Sequence, residues 1–205
     1  MNLNLVIDGM VRRRRTSFSL ALVLSGCVTV SAQDKVFEAV ASLEPLGRLA
    51  LETGQGTVRL SSWDRPTVDI RARIEPPVGA DADEGQRSVE GTIVEVRGSR
   101  RSVRIRSVYG AVRSRVHYEI RAPREIDLDL VIRGADTTLG GFEGRLFLEL
   151  YDGVLEADDL TGTIVLDLDS VVLRCSRCAD VAGVLPVTLC RMVDTGRRNG
   201  RPWGN

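Results

Sequence analysis

A triplet of alternate aliphatic residues recurs in this chain at a spacing of 18: Leu128, Leu130 and Ile132, then Leu146, Leu148 and Leu150, then Ile164, Leu166 and Leu168. A fourth copy, Leu185, Val187 and Leu189, follows after 21. Spacing of two puts the side chains of each triplet on one face of a strand. A second motif keeps step between the triplets: Phe142-Glu143-Gly144, Leu160-Thr161-Gly162 and Val181-Ala182-Gly183. Its glycine permits a turn that a side chain would obstruct. Each period therefore reads as two short strands and two turns.

One period cannot stand alone. Three buried aliphatics contribute about 5–9 kcal/mol at ~1.5–3 each, whereas ordering one period costs roughly 18–36 kcal/mol. Stacking adds ladder hydrogen bonds and covers both sides of every leucine row. The pattern predicts an all-β fold, a β-solenoid or β-helix-like stack of 18-residue two-strand rungs. Its handedness is left open, and an ordinary β-sandwich with coincidental spacing is the alternative.

The preceding stretch alternates as well. Leu49 to Glu52, Thr57 to Ser61 and Thr67 to Ile74 read as strands separated by Gly54, Gly56 and Pro66. Gly79 to Gln86 reads as a polar loop, with strands resuming at Ser88 to Val96 and Ser102 to Val108. In Val112 to Ile120, one face holds Val112, Ser114, Val116, Tyr118 and Ile120, and the other Arg113, Arg115, His117 and Glu119. No long amphipathic helix is expected in the mature chain.

The N-terminus reads as an export signal. Arg12 to Arg15 form a basic segment, Phe18 to Leu24 a short apolar run, and Leu24-Ser25-Gly26-Cys27 resembles the bacterial lipoprotein signal. On this reading 1–26 is a signal peptide, with Met10 the better start, Cys27 carries the lipid, and 27–35 is a linker. The run is too short to span a bilayer. Val30-Ser31-Ala32 offers an alternative cleavage before Gln33, which would leave a secreted or periplasmic protein. The expected address is the cell envelope, lipid-anchored. Outer-membrane sorting is preferred for a Gram-negative host, because Val28 is not an aspartate.

The formal charge is zero, so no global field recruits nucleic acid. Its distribution is uneven: Arg97 to Arg124 holds nine arginines against Glu119 alone, and Glu125 to Asp169 holds twelve acids against two arginines. Arg104, Arg106, Arg113, Arg115 and Arg121 form the candidate strip for anionic envelope polymers, since guanidinium pairs bind phosphate or carboxylate. The alternative is a solvated face paired with Asp127, Asp129 and Glu149.

Cys175-Ser176-Arg177-Cys178 is a C-x-x-C with Cys190 beyond it. A disulfide between Cys175 and Cys178, free core cysteines, and a metal or redox pair all stay open. A zinc site lacks a fourth ligand, since His117 is the sole histidine. Asp136, Asp152, Asp158, Asp159, Asp167 and Asp169 read as solvated turn carboxylates. No catalytic set, cofactor or metal is expected.

Gly56-Thr57-Val58-Arg59-Leu60, Ser62-Trp63-Asp64-Arg65-Pro66 and Val68-Asp69-Ile70 resemble the opening of a bacterial family known as putative adhesins, of unknown function. The Tyr118-Glu119-Ile120-Arg121-Ala122-Pro123 strand and Tyr151-Asp152-Gly153-Val154 continue the likeness, which spans Leu43 to Leu173. The resemblance implies an envelope-exposed β-solenoid without known catalysis. Residues 36–193 would be that domain. The chain departs from the family at 194–205, an irregular stretch that reads as a floppy tail or a frameshift. The expected role is binding, adhesion or scaffolding through a repetitive β surface, with the membrane reached through the lipid anchor and an anionic envelope polymer or a protein as the partner. The alternatives are a carbohydrate-active enzyme on a β-helix and a truncated, non-functional copy.

Overall fold

The computed structural model describes residues 34–178 and the backbone of 181–184. The signal segment, Cys27, the Gln33 cleavage point, the fourth triplet, Cys190 and the 194–205 tail lie outside the described residues.

Among the described residues, eleven strands and one helix follow in order: β1 Lys35–Ser42, β2 Arg48–Thr53, β3 Gly56–Trp63, β4 Thr67–Glu75, α1 Ala82–Gly91, β5 Ile93–Ser99, β6 Ser102–Val108, β7 Arg115–Pro123, β8 Asp127–Arg133, β9 Ala135–Gly140, β10 Glu143–Cys178 and β11 Val181–Val184. They form one sheet in the order β1-β4-β7-β3-β9-β10-β8-β2-β6-β5, with β11 added on β10. The long β10 pairs with β9 through Leu155–Asp158 and with β8 through Leu146–Tyr151. It therefore joins two walls that face each other across the core. The ends of the path nearly meet, where Lys35 Nζ donates to the Thr92 carbonyl at 3.0 Å.

The triplets form the core rows. Val103, Leu49, Leu128 and Leu146 lie side by side on neighbouring strands, as do Ile105, Leu51, Leu130 and Leu148. All eight are buried. On the opposite wall Ile70, Ile120, Leu60, Leu139 and Ala157 form a matching buried row. The period of 18 is the parallel register itself: Leu146 pairs with Leu128, and Leu155 with Thr137. The corners repeat with it. Left-handed backbone recurs at Gly134, Asp152 and Ser170, and again at Gly141, Asp159 and Arg177.

Two expectations need correction. The molecule is not a solenoid of stacked rungs as such. It is a single sheet in which β1 pairs antiparallel with β4, β4 with β7 and β5 with β6, and only the remaining neighbours run parallel. Secondly, the supposed loop and strand across Gly79 to Val96 contain α1, with a strand only from Ile93. The Asp81 side chain accepts from Glu84 N at 2.7 Å and caps the helix.

Candidate functional site: a basic trough over β2, β6 and β8

The row of core aliphatics ends in hydroxyls. Where β2 and β6 leave the sheet, Thr53 and Ser107 are buried, with their oxygens 2.9 Å apart. Tyr118 reaches across the core from β7, and its hydroxyl lies 2.7 Å from Ser107 Oγ. The Tyr109 hydroxyl lies 3.3 Å from Thr53 Oγ1 and accepts from Gly54 N at 2.8 Å. This chain of hydroxyls satisfies groups that would otherwise be buried unpaired. Burial pushes the Tyr118 phenol well above its ordinary pKa, so it stays neutral. The Tyr109 ring is held in place at the surface end of the chain.

Over this floor lies a groove of about 480 Å³, walled by Glu52, Arg106, Tyr109, Gly110, Arg113 and Arg133 among others. Three guanidiniums face one carboxylate. Glu52 is shared, 3.3 Å from Arg106 and 3.8 Å from Arg133. The Arg113 guanidinium stands 6.0 Å from the Tyr109 ring centre, and Arg133 stands 5.6 Å from that of Tyr151. Arg113 has no carboxylate within 4.0 Å among the described residues. A second, smaller cleft of about 140 Å³ adjoins the groove, lined by Glu52, Glu95, Arg97, Arg104 and Arg106.

α1 supports the loop that carries Arg113. The Gly91 and Gly110 backbones sit close enough that a Cβ on either would be 3.4 Å from the other's Cα. Below them, Ser114 Oγ lies 2.7 Å from Ser88 and 3.0 Å from Thr92.

The expected five-arginine strip is divided by the strand order. Arg104 and Arg106 lie on β6, near one end of the sheet path, whereas Arg115 and Arg121 lie on β7, near the other. Arg113 precedes β7, so alternation with Arg115 does not place it, and it joins Arg106 instead. Arg115 is tied to Glu75 at 3.0 Å and to the Pro76 carbonyl at 3.2 Å. Arg121 stands 5.6 Å from the Trp63 ring centre, with Arg65 at 5.1 Å. The three acids expected to neutralise the strip have other partners: Asp127 pairs with Arg145, Asp129 with Arg48, and Glu149 lies 4.0 Å from Arg133. Arg97, Arg133 and Tyr109 were not singled out from sequence. Strand order brings Arg97 beside Arg104 and Arg133 beside Glu52, whereas Tyr109 follows β6 directly.

His117 is not simply outward-facing. Its Nδ1 lies 3.0 Å from Thr57 Oγ1, and its Nε2 is 3.2 Å from Glu75 without hydrogen-bond alignment. Cys175 and Cys178 are joined as a disulfide. Several turn acids have partners rather than solvent alone: Asp136 accepts from Val154 N at 3.1 Å, Asp158 binds Ser176 and Arg177, and Asp159 binds Arg124 at 3.1 Å. Among the described residues no three His, Cys, Asp or Glu side chains converge as metal ligands.

No protein-family model matches the chain, and no curated protein matches it. Three solved structures are weakly similar to it. A "putative cell adhesion protein" from Clostridium sporogenes is 11% identical at a TM-score of 0.42, with 73% of each chain covered. A "putative adhesin" from Bacteroides fragilis is 8% identical at 0.33, covering 76% of this chain and 80% of that one. A "putative lipid binding protein" from Parabacteroides distasonis is 11% identical at 0.26, covering 70% and 62%. At these TM-scores the likeness carries no functional argument.

Proposed function

We propose that the protein is a cell-envelope binding module, anchored through Cys27, that holds anionic polymer in the groove between β2, β6 and β8. One observation carries the reading: Arg106, Arg113 and Arg133 converge over a concave floor that supplies a single carboxylate, Glu52. The hydroxyl chain beneath fixes the floor, so an incoming anion need not organise it. Tyr109 and Tyr151 hold two of the guanidiniums at fixed positions by cation–π contact. The parallel strands paired at 18-residue offsets form the solenoid-like part and give the repetitive outer surface of the scaffold. Adhesion or scaffolding is the role that such a surface serves.

The test is adsorption of the purified protein to beads bearing phosphorylated, carboxylated or neutral polysaccharide. Binding to both anionic matrices and none to the neutral one is expected, with affinity falling as salt screens the charges. Arg113→Glu with Arg133→Glu should lose binding at least ~10-fold, about 1.4 kcal/mol, while Arg121→Glu should not. Equal binding to the neutral matrix, or indifference to the double reversal, would overturn the reading.

A further inference from the structure

We infer that the groove and the adjoining cleft form one two-part site for a linear polyanion, rather than a pocket for a single small anion. The inference rests on the groove reading and deepens it.

Arg104 and Arg106 project from the same outer face of β6, two residues and therefore roughly 7 Å apart. Their neighbours differ. Arg106 lies between Glu95 on β5 and Glu52 on β2, so its charge is balanced within the sheet. Arg104 lies between Arg97 and Ala50. Like charges directly opposite each other on paired strands are unfavourable. Among the described residues, Arg104 has no carboxylate within 4.0 Å to relieve it. Arg97 has only Glu95, its neighbour on the same strand, at 3.4 Å.

The trough therefore has two positive foci. Arg97 and Arg104 form one, Arg113 and Arg133 the other, and the Glu95–Arg106–Glu52 row, two carboxylates to one guanidinium, lies between. The cleft and the groove adjoin, with the Glu52–Arg106 ion pair as their common wall. A monoanion reaches one focus at a time. An extended chain carrying phosphate or carboxylate groups at least about 7 Å apart reaches both, and its second contact is made at high effective concentration.

Glycerol phosphate oligomers are suitable probes, because a three-carbon bridge separates successive phosphates. Titration calorimetry at fixed ionic strength would compare glycerol 3-phosphate with oligomers of two, four and eight units. Affinity should rise at least ~10-fold from monomer to tetramer and then level off. Arg97→Gln with Arg104→Gln should bring the tetramer close to monomer affinity, while Arg121→Gln leaves it unchanged. If monomer and tetramer bind alike, or if the length dependence survives in the Arg97/Arg104 variant, the two-part site is wrong but the groove stands. If no probe binds, or binding ignores Arg113 and Arg133, both readings fall.

Discussion

Tyr118 shows how one side chain serves both stability and the site. It is fully buried, and its hydroxyl ends a chain through Ser107 and Thr53 to Tyr109. Tyr118→Phe should cost about 0.5–1.5 kcal/mol in urea unfolding, because Ser107 loses its partner on the facing wall. Its raised pKa means that the folded state favours the neutral phenol. That contribution is complete below the unfolded pKa and is lost as pH rises through the higher folded value. The variant should therefore lose less stability than wild type in strongly alkaline solution. Asp127 works with the opposite sign. Arg145 holds its carboxyl below the ordinary 3.8, so its contribution is present above that value and fades as pH falls through the lower folded pKa. Asp127→Asn should flatten that part of the acid limb in a pH series of melting curves. The turn glycines are stricter. A Cβ on Gly162 would lie 2.2 Å from the Gly144 carbonyl oxygen, and φ there is +102°. Gly162→Ala should lower the melting temperature sharply, while alanine at exposed Thr163 should have little effect.

At the scale of elements, the aliphatic triplets were legible because their spacing equals the ladder register: a residue and its copy 18 positions on become neighbours. Leu148→Ala should cost about 2–5 kcal/mol by opening a cavity between β8 and β10. α1 was less legible because it contributes little apolar surface, burying only Gly85, Ser88 and Val89. The Asp81-x-x-Glu84 cap was the available signal, since an aspartate with an acid three residues on marks a helix start. The helix matters through the Arg113 loop. Gly110→Val should push that loop from Gly91 and weaken polymer binding while leaving most of the stability, which paired melting and adsorption measurements would separate. Alternation identified Arg104 and Arg106 as outward-facing. It failed for Arg113 because the strand begins only at Arg115.

The whole molecule depends on an order of strands that no local pattern encodes. β6 and β7 are consecutive in the chain, yet along the sheet β2, β8, β10, β9 and β3 lie between them, and they meet only across the core, where Ser107 faces Tyr118. That separation divides the arginines into two groups and brings Arg133, from the acid-rich half, into the groove. Charges that cancel in composition are largely paired across neighbouring strands, and the concave place where arginines outnumber acids is the proposed binding surface. The most direct measurement is an amide and arginine Nε–Hε NMR titration of the protein with tetrameric glycerol phosphate. If the trough is the binding site, saturable shifts are expected at Gly54, Gly110 and the side chains of Arg104, Arg113 and Arg133, with Arg65 and Arg121 beside Trp63 unmoved. Shifts centred on Trp63, or none at the trough at millimolar ligand, would contradict it.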